Sequence, residues 1–133
     1  MGVTISRSIL DGMKKASAVA WPREACGLLF GESGAINAFR EVRNVAERPE
    51  THFELDPAAL FAALRAQREG GPRVIGYWHS HPSGSAAPSI TDATMAAPDG
   101  KLWVILGGDE VRCWRAGIAG LHDRFAPVQL MAI

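Results

Sequence analysis

A chain of 133 residues suits one domain built around one core. Apolar residues make up 47% and charged residues 21%, ordinary values for a globular protein that needs no disulfide framework. Fourteen basic and fourteen acidic side chains cancel, which removes the global field that nucleic acid or an anionic membrane would recognise.

Residues 5–20 carry helical spacing: Ile5, Ile9, Met13 and Ala16 share a face, and Lys14 and Lys15 lie in the second half. The small residues Ala16 to Ala20 look like a signal-peptidase site. The segment before them is charged and has no apolar core, so a cytoplasmic location is expected. No apolar run approaches the length of a membrane span. Trp21-Pro22 closes the helix.

The run from Cys26 to Gly31 is continuously apolar and bounded by glycines, as a buried strand is. A turn at Glu32-Ser33-Gly34 leads to alternating residues 35–43, the second arm of a hairpin. Residues 44–49 are a polar loop, and 52–55 a brief strand. Asp56-Pro57 starts a second helix, with Asp at the N-cap and Pro at its first position; Gly70-Gly71 ends it.

Residues 73–79 read as a strand, 82–88 as a loop, and Ser89 as the opening of a short helix. Strands follow at 102–106 and 111–114. A last apolar run, 125–133, is expected as an edge strand that pairs two chains in a homodimer. Cys26 and Cys113 form no CxxC pair and are expected as buried free thiols. Trp78, Trp103 and Trp114 read as core, while His52 and His122 carry no assigned role. Helices interleaved with strands make an α/β domain.

His79 and His81 stand at i and i+2 near a strand end. That spacing points both rings to one face, with Cβ atoms about 6–7 Å apart, close enough to converge on one metal ion. Two histidines satisfied separately are the plainer alternative. Asp92 has two readings. With Ser89 three residues earlier it completes a helix-capping pattern, and with the histidines it completes a ligand set. The readings are compatible. Two imidazoles and a carboxylate leave a fourth position for water, as in a catalytic zinc site.

Zinc lowers the pKa of such a water from about 15.7 towards roughly 7. Amide hydrolysis then needs a base that takes a proton and returns it to the leaving nitrogen. Glu24 is the candidate, although a surface residue at a helix end would look the same. Ser89, near the metal by sequence, is the candidate donor to a developing oxyanion. An iron(II) oxygenase would use the same triad but leaves Glu24 and Ser89 without a role. A zinc deaminase would need HxE and PCxxC, which are missing.

Taken together, Glu24, His79-Ser80-His81-Pro82, the loop to Pro88, then Ser89 and Asp92 resemble the motif of the JAMM (MPN-plus) metalloproteases. The likeness extends to the run from Pro22 to Gly31, the Phe53-Glu54-Leu55-Asp56-Pro57 segment and the strand from Gly76 to Pro82, across most of residues 5–115.

The resemblance implies zinc held by His79, His81 and Asp92, Glu24 as general base, and Ser89 stabilising the tetrahedral intermediate. It implies one JAMM/MPN domain over 1–133, with a mixed β-sheet flanked by helices in a cytidine deaminase-like architecture. It further implies cleavage of isopeptide or peptide bonds at the C-terminal tails of ubiquitin-like or ThiS/MoaD-like sulfur-carrier proteins. The chain is too short for the insertions with which eukaryotic deubiquitinases grip ubiquitin. A non-catalytic scaffold of the same fold is the alternative.

Overall fold

A computed structural model describes residues 2–133. In chain order the elements are β1 (Gly2–Ile5), α1 (Arg7–Ala20), β2 (Cys26–Glu32), β3 (Ala35–Val42) and α2 (Pro57–Arg68). Then come β4 (Val74–His81), α3 (Ile90–Met95), β5 (Leu102–Gly107), β6 (Glu110–Leu121) and β7 (Phe125–Ala132). The strands form one mixed sheet in the order β1-β3-β2-β4-β5-β6-β7, closed into a barrel by β1 against β7.

The N-terminus departs from the sequence reading. The helix begins only after Ser6, whose hydroxyl accepts the Ile9 N–H at 3.2 Å. Ile5 belongs instead to a four-residue strand in which Val3 and Ile5 are buried. Its alternation is too short to stand out against the helical spacing that follows.

Residues 52–55 are not a full strand either. They contribute a single bridge, Leu55 to Asn44. Nor is β7 an edge. It pairs antiparallel with β6 and parallel with β1, so its backbone donors and acceptors are engaged within the chain on both sides.

Both cysteines are buried and unpaired, as expected. Trp78, Trp103 and Trp114 are buried too. Trp78 faces a core formed with Met13 of α1, and its indole donates to the Arg40 carbonyl at 3.2 Å. Gly27, paired with Trp78 across the sheet, makes this possible. A Cβ there would overlap the Arg40 carbonyl and meet the indole nitrogen at 2.5 Å.

One irregularity in β4 decides where the histidines point. Leu29 pairs with Gly76 but Phe30 pairs with Val74, so Ile75 is an extra residue opposite β2. A bulge of this kind reverses the alternation of faces. Val74 and Tyr77 consequently pack on the side of α2, whereas Ile75 and Trp78 pack on the side of α1. His79 and His81 follow Tyr77. Beyond them β5 runs parallel, setting His79 beside Ile105 and His81 beside Gly107.

Candidate active site

The two histidines and Asp92 converge. His79 Nε2 and His81 Nε2 lie 3.0 Å apart, and Asp92 Oδ2 lies 3.2 Å and 3.1 Å from them. All three residues are buried. Each histidine is held differently. His81 Nδ1 donates to the Ser85 carbonyl at 2.8 Å, which fixes that proton and leaves Nε2 facing Asp92. His79 is held by packing, with Phe53 stacked on it at 4.3 Å and Trp103 edge-on at 5.7 Å.

Asp92 caps a helix and faces the histidines at once. It sits in the first turn of α3, where Ser89 Oγ accepts the Asp92 N–H at 3.0 Å and Asp92 Oδ2 accepts the Ser89 N–H at 2.9 Å. This is a complete capping box. The same Oδ2 faces the histidines, so the cap aims the carboxylate.

Glu24 lies in the loop between α1 and β2 and is only 5% exposed, which excludes the surface reading. One carboxylate oxygen and one ring nitrogen of each histidine lie within 4.8 Å of one another, and Oε1 has no hydrogen-bond partner. Its backbone is anchored by its N–H to the Pro49 carbonyl at 2.6 Å and by Asn44 Nδ2 to its carbonyl at 3.0 Å. Ser80, between the histidines, points to the other side and accepts the Ala25 N–H at 2.8 Å. The His-Ser-His tripeptide thus supplies two site imidazoles and a brace for the Glu24 loop.

The charges are arranged unequally. Burial pushes the Glu24 carboxyl up to about 8; a charged His81 opposes this and Asp92 adds to it. Burial also works against ionisation of Asp92, but hydrogen bonds from both histidines and from Ser89 hold it well below the usual carboxylate range. Burial lowers His79, favouring the neutral imidazole. At His81 burial acts the same way but is outweighed by the bonds to Asp92 and Ser85, which raise it. A neutral imidazole, an ionised carboxylate and a second imidazole with its outer proton fixed form a donor set suited to a divalent cation.

A model of prokaryotic homologs of the JAB domain matches residues 6–117. The chain belongs to that family. Over 104 residues it is 36% identical to a desampylase of Haloferax volcanii, covering 77% of this chain and 75% of the relative. It is 32% identical over 113 residues to a probable TtuB-protein conjugate cleaving protease of Thermus thermophilus, covering 83% and 73%. A JAB1/MPN domain protein of Archaeoglobus fulgidus aligns over 99% of this chain and 98% of its own, with a TM-score of 0.66 at 22% identity. That likeness is one of fold, and it agrees with the mixed sheet and flanking helices expected from the sequence.

In this JAB-domain chain two open clefts adjoin residues of the site. One is lined by Arg23, Glu24, Cys26 and Asn44, the other, on the side of α1, by Trp21, Ser80, His81, Pro82 and Gly84. Sequence reasoning missed Phe53, Ser85 and Asn44. The first two act through contacts made only on folding. Asn44 had a signal, being an Asn where a strand ends, and its side chain bridges Glu24, Ala46, His52 and Glu54. Tyr77, not Trp78, shares the side of β4 that carries the two histidines.

Proposed function

We propose that the protein is a zinc-dependent hydrolase that cleaves isopeptide or peptide bonds at the C-terminal tail of a ubiquitin-like or sulfur-carrier protein. The observation that carries this reading is the triangle of His79, His81 and Asp92 atoms, 3.0–3.2 Å on each edge, facing a buried carboxylate. Four-coordinate zinc with nitrogen and oxygen donors at about 2.0–2.2 Å spaces them about 3.3–3.5 Å apart, so the triangle needs only slight expansion. In this reading these three residues hold the metal.

When bound, zinc supplies the Lewis acidity that makes a water nucleophilic at neutral pH. Glu24 would accept a proton from the attacking water and return it to the leaving nitrogen. A cation beside it opposes the effect of burial and favours its ionised form. The Ser89 oxygen accepts from the Asp92 N–H, so its own proton is available to the oxyanion. Relatives named for conjugate cleavage and desampylation support the substrate class. A scaffold reading leaves the buried, unpartnered Glu24 carboxylate without a purpose.

Incubating the zinc-loaded protein with fusions to ubiquitin-fold carriers, and reading tail cleavage by mass spectrometry, tests the proposal. Cleavage at the carrier terminus, abolished by chelator and restored by zinc, is the expected result. Intact fusions in the presence of fully bound zinc would remove the substrate class. Ser89→Ala separates its two roles. Loss of the cap costs about 1 kcal/mol of stability. Loss of the oxyanion donor lowers kcat by about 100-fold. A lower melting temperature with unchanged kcat would leave Ser89 as a cap alone.

A further inference from the structure

The turn between β6 and β7 reaches the site through one hydrogen bond. His122 Nε2 lies 3.0 Å from the Pro88 carbonyl, which can only accept, so the imidazole is the donor. The other end of that same peptide unit is the Ser89 N–H, which donates to Asp92 Oδ2 at 2.9 Å. One rigid plane therefore joins His122 to the oxygen that faces both histidines. Anchoring its carbonyl fixes the direction of its N–H and polarises the amide, strengthening the donation.

Two neighbouring peptide units of the same loop meet β6 and β5. Trp114 Nε1 donates to the Ala86 carbonyl at 3.1 Å. Ser85 lies so close to Gly107 that a Cβ there would overlap its carbonyl. Those two contacts secure the middle of the loop, and His122 secures its junction with α3.

The backbone at this turn is specialised. His122 and Asp123 have φ of 56° and 55°, and the Arg124 N–H closes the turn on Leu121 at 3.1 Å. Hairpin turns with two left-handed residues ordinarily use Asn-Gly, because a side chain disfavours that conformation. Here the first of these positions carries an imidazole directed at the loop. It also lies beyond residues 6–117, the span matched by the family model.

We infer that His122 is a positioning residue for the metal site, setting Asp92 Oδ2 through the Pro88–Ser89 peptide. The inference rests on the metal-site reading above. It is tested by titrating cobalt(II) into the metal-free protein and its variants, following the visible spectrum of the bound ion. His122→Ala should weaken cobalt binding by about tenfold, the lower end of what loss of an outer hydrogen bond to a ligand costs. Its spectrum should change, while its metal-free melting temperature matches that of the parent. His122→Gln, which restores an N–H donor, should recover most of the affinity.

A parent that binds cobalt while His122→Ala binds it equally, with the same spectrum, overturns this inference alone. So does a loss that merely tracks a lower metal-free melting temperature and is not rescued by His122→Gln. A parent that takes up no cobalt overturns the metal-site reading and this inference with it.

Discussion

Glu24→Gln should keep its metal and its fold while losing about 100- to 10,000-fold in kcat, the contribution of a positioned general base. The substitution preserves shape at a residue that is 5% exposed, so packing should survive. No hydrogen bond to Oε1 is lost, because none is made. The backbone anchors to Pro49 and Asn44 are independent of the side chain. What disappears is the capacity to accept a proton beside the histidines. Steady-state kinetics on a cleavable carrier fusion, with zinc per chain measured on the same sample, provides the check. Turnover equal to that of the parent with zinc fully bound would remove Glu24 from the mechanism.

Asp92→Asn should abolish turnover by a different route, lowering zinc affinity by more than about 100-fold, beyond the usual effect of disturbing a ligand's outer partner. Asparagine can still accept the Ser89 N–H, so the cap of α3 is largely preserved. The lost element is the negative charge held between two imidazoles at 3.1 Å and 3.2 Å. Competition with a chromogenic chelator measures the affinity, and thermal melting of the metal-free form checks the fold. The pair of variants also discriminates between ligand sets, since Glu24 is itself close to both histidines. If Asp92→Asn retained zinc and Glu24→Gln lost it, the carboxylate ligand would be Glu24 and the present assignment would fall.

Much of this site was readable before folding because its chemistry is local. His79 and His81 need only strand alternation to share a face, and Ser89 and Asp92 need only one helical turn to meet. The two readings of Asp92 are compatible in the fold, since capping and facing the histidines use the same oxygen. Glu24 was readable by motif but not by physics. Its burial depends on an anchor at Pro49 and a brace from Ser80, neither of which spacing predicts.

The errors share a cause. Ile5 reads as helical because it falls in step with Ile9, and only the pairing of Gly2–Ile5 with β7 and β3 makes it part of a strand. The run from 125 looked like an edge because its second neighbour lies at the opposite end of the chain. Phe53 and His122 act on residues 26 and 34 positions away, and no periodicity links them.

The extra residue at Ile75 gives the site a dependence of another kind. Chemistry explains why histidines are present, but arithmetic explains why they look inward at Asp92. Counting from Val74, which faces α2, strict alternation would assign that same side to Trp78 and Ser80. It is the odd residue that hands the side to Tyr77, His79 and His81. The reactive face of this strand is thus specified by the parity of its length, which replacing one side chain leaves intact and removing one residue does not.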